Sequence, residues 1–436
     1  MTGDGTASIL PHLDADRAAH SAAVLQAVRA AITTHGGWIG FDDYLRAVLY
    51  EPGLGYYSAG SAKLGRAGDF ITAPEVSALF GRALARQCAQ VLQRIGAGGH
   101  RSGSGHGSDE DDRDGDGAGD VLELGAGTGA LAATLLPALQ ELGSLPRHYD
   151  ILEVSADLAA RARARLAALP ETLCARIRWL RGLPSEPTAA VILANEVADA
   201  LPFRRFVVGG GAGTGGSCAV DAGGGAGGPG GTGWLERGVA LSSDGNLMLA
   251  DRPADGALEA ELQRLGLAAS LSAGYQSEVC PMLGSWIASL GAVLARGAIF
   301  IIDYGAARHE YYHEQRTQGT LRCHFRHRAH DDPLLYPGVQ DITAWVDFTR
   351  IAEGAVDAGL TVAGYCTQAA FLLANGIESD VAAASTTLER ARLAGQARQL
   401  LLPGEMGETF KVMALTRGLD EAPLRGFMYQ DLRRML

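Results

Sequence analysis

Two stretches of this chain carry residue types at spacings suited to chemistry. The first is Val121-Leu-Glu-Leu-Gly-Ala-Gly-Thr-Gly129, followed by an acid at Glu153. Closely spaced glycines let a backbone approach a bound molecule, and an acid at the tip of a second strand can accept hydrogen bonds from the two hydroxyls of a ribose. The second is Ala194-Asn-Glu-Val-Ala-Asp-Ala-Leu-Pro202. Glu196 and Asp199 stand three apart, so one helical turn places them on the same side, and paired carboxylates bind a cation or take a proton. Acids are favoured at helix starts in any case, so capping is the competing account of this pair. Asp303, at the end of the apolar run Ala298–Ile302, is a similar case.

These residues need elements to hold them. The apolar run ending in glycines reads as a buried strand that turns sharply into a helix over Ala130–Leu142, and Tyr149-Asp-Ile-Leu-Glu153 reads as the next strand. The product is a βαβ unit that grips an adenosine. Two templates fit the loop. Gly125, Gly127 and Ala130 satisfy the dinucleotide fingerprint in its G-x-G-x-x-A form. Gly125, Gly127 and Gly129, preceded by Glu123, fit the E-x-G-x-G-x-G loop of enzymes that use S-adenosylmethionine. An acid at Glu123 suits the cationic methionine end of that cofactor and sits badly beside a pyrophosphate, because like charges repel. A glycine-rich turn without a ligand is the bland alternative, and the agreement of strand, loop, helix and spaced acid argues against it.

A core strand also precedes Asn195, Glu196 and Asp199. Ligands of doubly wound sheets sit at the carboxyl ends of the strands, so these three side chains point toward the cofactor. Further strands are predicted over Arg176–Leu180, Ala190–Ala194, Phe203–Val208, Trp234–Ala240, Ala298–Ile302, Leu360–Gln368 and Thr409–Arg417. Helices are predicted over Ala18–Thr34, Phe41–Leu49, Pro74–Ile95, Cys280–Leu294, Asp341–Ala358 and near Leu388–Leu401. The alternation implies an α/β fold with a mostly parallel sheet covered on both faces. Gly96–Gly119 and Gly209–Gly233 have almost nothing to bury and read as a linker and a long loop.

Composition narrows the function classes. The 436 residues allow two or three structural units, and 47% hydrophobic content fits a globular enzyme. A formal charge of −12 argues against general nucleic-acid binding. No apolar run reaches the ~18 residues that a membrane span needs. Met1–His20 lacks signal-peptide or transit character, and Cys88, Cys174, Cys218, Cys280, Cys323 and Cys366 are scattered. Both features suit a reduced cytoplasm.

Other candidates weigh less. Glu278, just before Cys280-Pro281, reads equally as a functional acid or a helix-start acid. Cys323-His324-x-x-His327-x-x-His330 matches no strong zinc spacing and suits an exposed helix or loop, so no metal site is expected. Asp109–Asp116 lacks the terminal Glu of a calcium loop. Neither a G-x-S-x-G elbow nor a Walker loop is present. The glycine- and tyrosine-rich stretch from Tyr50 to Ser77 is unusual as filler, and loops of this kind cover ligands.

Taken in order, the motifs resemble those of the MidA family of S-adenosylmethionine-dependent methyltransferases, bacterial relatives of a mitochondrial arginine methyltransferase that helps assemble respiratory complex I. The matching pieces are Leu49-Tyr-Glu-Pro-Gly-Leu-Gly-Tyr-Tyr57, Gly68-Asp-Phe-Ile-Thr-Ala-Pro-Glu-Val-Ser77, the Gly125–Gly129 loop and Ala194-Asn-Glu-x-x-Asp-Ala-Leu-Pro202. They continue with Ile302-Asp-Tyr-Gly305, Gly319-Thr-Leu321, Asp341-Ile-Thr-x-x-Val-Asp-Phe348, Gln368-x-x-Phe-Leu372 and Met406-Gly-Glu-x-Phe-Lys-Val412. The resemblance implies a class I methyltransferase core, Rossmann-like, with a seven-strand sheet, helices on both faces and an added N-terminal lid region. It implies cofactor contacts at Gly125, Gly127, Gly129 and Glu153, a lid or methionine pocket formed with Asp69, Thr72 and Glu75, and an acceptor facing Glu196 and Asp199. It also fits an antiparallel strand closing the sheet edge near the C-terminus.

The organisation that follows is an N-terminal helical and lid region over 1–95, a linker over 96–119 and a core over 120–310. An inserted substrate or partner region over 311–358 and C-terminal strands over 359–436 complete it. The leading reading is methyl transfer from S-adenosylmethionine to a protein arginine, with a respiratory-chain subunit as acceptor by analogy. A guanidinium keeps its charge and needs carboxylates, of which Glu196 is the first choice, supported by Asp199 or Asp303. The rivals are a methyltransferase of small molecules or other side chains, an assembly factor with little turnover, and a nicotinamide dehydrogenase. The apolar residues of Tyr311–Phe348 offer a surface for a partner or a homodimer.

Overall fold

The computed structural model describes residues 10–59, 71–99, 119–210, 233–267 and 271–436. Asp69, most of the 96–119 linker and most of the 209–233 insert lie outside the described residues.

The main sheet contains seven strands along one path. They are β1 (Asp120–Leu124), β2 (Tyr149–Leu152), β3 (Ile177–Leu180), β4 (Thr188–Asn195), β5 (Leu294–Ala306), β6 (Thr361–Thr367) and β7 (Phe410–Arg417). Their spatial order is β6-β7-β5-β4-β1-β2-β3. The chain reverses direction across the sheet at β1, which sits between β2 and β4 and is parallel to both. This reversal is the switch point where ligands bind in doubly wound folds. β7 is antiparallel to both of its neighbours. It is therefore inserted between β5 and β6 and does not close the edge, as the sequence reading supposed. A two-residue strand, Val346–Asp347, pairs with the end of β5.

Alternate residues of each central strand enter opposite cores, as a pleated strand buried on both faces requires. Val191, Leu193, Phe300 and Ile302 pack under the helices Ala78–Gly99 and Ala130–Glu141. Ile192, Ala194, Ile299 and Ile301 pack on the other face, under Leu283–Val293 and Phe348–Asp357. The long apolar runs seen in the sequence are thus strands covered on both sides.

Between β4 and β5 the chain leaves this sheet. Arg204–Val208, Trp234–Leu241, Leu247–Pro253 and Gln276–Val279, with Trp38–Ile39, form a separate antiparallel sheet. The predicted strands at Phe203–Val208 and Trp234–Ala240 belong there, outside the parallel sheet. The N-terminal helix Ala15–Thr34 is capped by Asp14, whose Oδ1 accepts the N–H of Arg17 at 2.9 Å. Its Val24, Val28 and Ile32 share a core with Phe41, Tyr44, Phe203, Val239 and Ile342. This packing carries the N-terminal region onto the mouth of the main sheet.

Three local readings are corrected. Asp341–Ala358 is not one helix: Asp341–Thr343 and Val346–Asp347 are strands, and the helix starts at Phe348, capped by Asp347. Cys323–His330 is a β-hairpin, not an exposed helix or loop, with Arg326 and His327 at positive φ in its turn. The apolar residues Tyr311, Tyr312, Phe325, Ile342, Val346 and Phe348 are buried inside the chain, so they do not form the exposed contact surface expected of that segment.

Candidate functional site

The site is built on the turn after β1. Gly125, Gly127 and Gly129 have φ of 62°, 56° and 77°. This left-handed region is costly for residues with a Cβ, which explains why the three positions are glycine. At Gly129 a Cβ would also lie 3.1 Å from that of Ala162 on the helix Ala156–Leu166, so the third glycine lets loop and helix pack together. Glu153, just past β2, reaches back to the loop. Its Oε2 accepts the N–H of Gly127 at 2.8 Å and its Oε1 the N–H of Ser155 at 2.8 Å. Loop and acid are thereby fixed relative to one another before any ligand arrives.

Above this turn lies a cavity of about 410 Å³, within the range that holds a small organic ligand. Gly125, Gly127, Glu153, Val154 and Leu158 line its part beyond β1 and β2. Val154 is 78% exposed, an apolar side chain at the rim where a flat heterocycle could cover it. Glu123 lines the cavity under the loop and is almost wholly buried. Its Oε2 accepts the Tyr149 hydroxyl at 2.7 Å. Burial pushes its pKa up to about 7, against the pull of the Tyr149 hydrogen bond. The acceptors and shape fit an adenosine bearing a charged tail: ribose on Glu153, backbone approach at the glycines, and an acid beneath the loop.

Beyond β4 the lining changes to Asn195, Glu196 and Asp199, with Tyr50, Tyr57 and Pro202. Glu196 has φ 55°, a strained value for a residue with a side chain. Its N–H donates to Ile302 on β5 at 2.9 Å, which holds the strand end in that conformation. Its Oε1 accepts from the Ala73 N–H and from Asn195 Nδ2, both at 3.2 Å. Burial first, then the neighbouring Asp199, push its pKa up to about 8. Asp199 is 8% exposed, and its Oδ2 accepts the Tyr304 hydroxyl at 2.5 Å. Burial raises its pKa while the Tyr304 hydroxyl pulls it back. The carboxylates forecast from the sequence are therefore together, in one cavity, at the strand ends.

Asp303 plays a different part from the one expected. It is fully buried and absent from the cavity wall. Its Oδ2 accepts the N–H groups of Ala198 and Asp199 at 3.0 and 3.2 Å, and its Oδ1 that of Tyr304 at 2.9 Å. It shapes the turn that carries Asp199 and touches no ligand space. Glu278 is likewise not a helix-start acid and does not line this cavity. It lies buried in the strand Gln276–Val279, and its Oε2 accepts the N–H of Thr320 at 2.7 Å.

Of the lid residues, Thr72 and Pro74 line the cavity and Glu75 does not. Glu75 turns outward and clasps the glycine loop: it accepts the Thr128 hydroxyl and pairs with Arg165 at 2.8 Å. With the Ala73–Glu196 hydrogen bond, the short helix Ala73–Val76 is pinned at both ends over the cavity.

Sequence reasoning left Tyr50, Tyr57 and Tyr304 without roles. Tyr50 ends a π-helical turn, Arg46–Tyr50, a form frequent at functional sites. The N–H groups of Tyr56 and Tyr57 return to the carbonyls of Val48 and Leu49 at 2.8 Å. The Tyr50 and Tyr57 rings lie 5.5 Å apart, and the Tyr57 hydroxyl donates to Asp341 at 2.7 Å. The signal was the aromatic character of the Tyr50–Ser77 stretch, of which Tyr50, Tyr57, Thr72 and Pro74 line the cavity. Tyr304 had no such signal, because its partner Asp199 is distant in sequence.

The chain is similar to known proteins. The model of a family described as "Putative S-adenosyl-L-methionine-dependent methyltransferase" matches residues 83–366. The protein arginine methyltransferase NDUFAF7, mitochondrial, of Rattus norvegicus is 30% identical over 414 residues, covering 87% of this chain and 81% of the relative. The Homo sapiens protein of the same name is 28% identical over 430 residues, covering 90% and 83%. A crystal structure from Burkholderia thailandensis, bound to S-adenosyl-homocysteine, superimposes with a TM-score of 0.84 at 41% identity. It covers 98% of this chain and 100% of that one.

Proposed function

The chain belongs to this S-adenosyl-L-methionine-dependent methyltransferase family, and on that premise we propose that its methyl acceptor is an arginine side chain of a protein. The cofactor is S-adenosylmethionine. The observation that carries the finer reading is the pair Glu196 and Asp199 in the cavity beyond β4, walled by Tyr50 and Tyr57. A guanidinium is planar, permanently charged and rich in donors, and a pair of carboxyl groups with aromatic neighbours meets each of those needs. The names of the rat and human relatives support the same acceptor. A respiratory-chain subunit and a cytoplasmic reaction are the first settings to try.

When bound, S-adenosylmethionine supplies a sulfonium methyl that is electrophilic without further activation. The chain's own work is then alignment and exclusion of water. Glu153 holds the ribose hydroxyls, and the left-handed glycines let the backbone close on the ligand. Thr72 and Pro74, on the pinned helix, cover the cavity from solvent. Glu196 and Asp199 orient the acceptor nitrogen, and ionised Asp199 offsets its charge in a largely buried setting, where such interactions are strong.

The test is incubation of the purified protein with radiolabelled S-adenosylmethionine and the proteome of a strain lacking it, followed by acid hydrolysis and amino-acid analysis. Labelled methylarginine is the expected product. Label only in small molecules or in other side chains would overturn the arginine reading while leaving the cofactor assignment in place.

A further inference from the structure

Tyr304 does not line the cavity, yet it touches the group that does. Its hydroxyl donates to Asp199 Oδ2 at 2.5 Å, while its ring stands edge-on to Phe410, with centroids 5.5 Å apart and planes at 72°. Asp303 fixes the backbone on both sides, through the N–H groups of Asp199 and Tyr304. One carboxylate oxygen is thereby committed to a rigid donor. The other, Asp199 Oδ1, is buried and has no hydrogen-bond partner among the described residues. An unsatisfied carboxylate oxygen is costly to bury, and a donor brought by a ligand would relieve that cost. Glu196 differs: its Oε1 accepts from Ala73 and Asn195, and neither of its oxygens is among the buried atoms left without a partner.

We propose that Tyr304 is a positioning residue that presents Asp199 Oδ1 to the methyl acceptor, so that Asp199, and not Glu196, receives the acceptor's proton. This rests on the reading of the cavity as a methyl-transfer site. Transfer to a guanidinium forms one N–C bond and breaks the C–S bond of the sulfonium, whose electron pair passes to sulfur; one proton leaves the acceptor nitrogen. Asp199 Oδ1 takes that proton. The two carboxyls have environments that set their roles apart, a pattern that separates acid from base in other sites. Burial and Asp199 keep Glu196 protonated near neutral pH, and the Tyr304 hydroxyl favours ionised Asp199. The other groups whose charge acts near Asp199 are Asp303, Tyr50 and Tyr57, with Asp341 acting on Tyr304. Behind it, Asp199 shares a void of about 20 Å³ with Asp347 and with Arg350, which lies 3.5 Å from Glu261.

The variant is Tyr304→Phe, which keeps the ring against Phe410. Its first readout needs no acceptor: carboxyl infrared difference spectra across pH 4–9, with Asp199→Asn subtracted to identify the band. Loss of the hydroxyl should raise the Asp199 midpoint by about one pH unit. Its second readout is label transfer against pH with the acceptor found above. The acidic limb should move up with the midpoint, so that kcat falls about twofold at pH 7 and about tenfold at pH 5, while KM for S-adenosylmethionine and affinity for S-adenosylhomocysteine stay within about twofold. Asp199→Asn should cut transfer at least about a hundredfold with product affinity retained. An Asp199 midpoint unmoved in Tyr304→Phe overturns the proposal, whatever the acceptor. So does an acidic limb that follows Glu196→Gln instead. Transfer to a group other than arginine, with the midpoint still moved, would retire only the arginine reading.

Discussion

Gly127 and Glu153 are joined directly: the glycine N–H donates to the acid's Oε2 at 2.8 Å. The two halves of the nucleoside site therefore come from different strands yet behave as one unit. Removing the acid frees the loop and, on the proposed reading, removes the ribose acceptor. Glu153→Ala should weaken S-adenosylhomocysteine about 10- to 150-fold by calorimetry, since hydrogen bonds to charged groups contribute about 1.5–3 kcal/mol. An affinity within threefold of wild type would show that the acid does not hold the ribose.

The third glycine has both a left-handed φ and a neighbour too close for a methyl group. Gly129→Ala should destabilise the fold by about 1–3 kcal/mol, from backbone strain and from crowding against Ala162. Urea denaturation followed by circular dichroism measures it, and saturating product should recover part of the loss.

Glu196 gives a pH signature. Its folded-state pKa is raised to about 8, above the ordinary value of 4.5. Between those values the folded chain holds a proton that the unfolded chain releases, so this group's contribution to stability falls as pH rises from about 4.5 to 8 and is lost above that. Glu196→Gln removes the dependence. The variant should match wild type near pH 4.5 and exceed it by about 4 kcal/mol at pH 8. A stability difference independent of pH would mean that Glu196 is ionised throughout.

The clasp between Glu75 and Arg165 closes the pinned helix over the glycine loop and is part-exposed. Exposed ion pairs contribute about 0.2–1 kcal/mol, so Arg165→Ala should speed product dissociation about two- to fivefold in stopped-flow without altering the fold. The wild-type rate should also rise with salt and the variant's should not. Equal salt dependence in both would place the gate elsewhere.

What could be read from the sequence was local. The strand, glycine turn, helix and spaced acid of the nucleoside half lie within about thirty residues, and burial on both faces of the sheet gave β4 and β5 the apolar runs Ala190–Ala194 and Ala298–Ile302. The pair Glu196 and Asp199 was legible because it follows a strand end directly. Asp303 looked the same by that logic, and only its hydrogen bonds to Ala198 and Asp199 show that it faces inward. Short strands such as Asp341–Thr343 offer too few residues for a period of two to emerge, so the segment was merged with the helix after it. Glu278 was misplaced because its partner Thr320 lies in a distant loop.

β4 and β5 are hydrogen-bonded neighbours, yet the antiparallel sheet is spliced into the chain between Asn195 and Leu294. Joining them closes a very long loop, and contacts of that range are slow to form. β1 and β2 join through a single helical crossover and face no such delay. During refolding the nucleoside half can mature first, and the half that carries Asp303 and Tyr304 last. Adenosine recognition and the seat for the acceptor would thus be acquired at separate times in the life of each molecule.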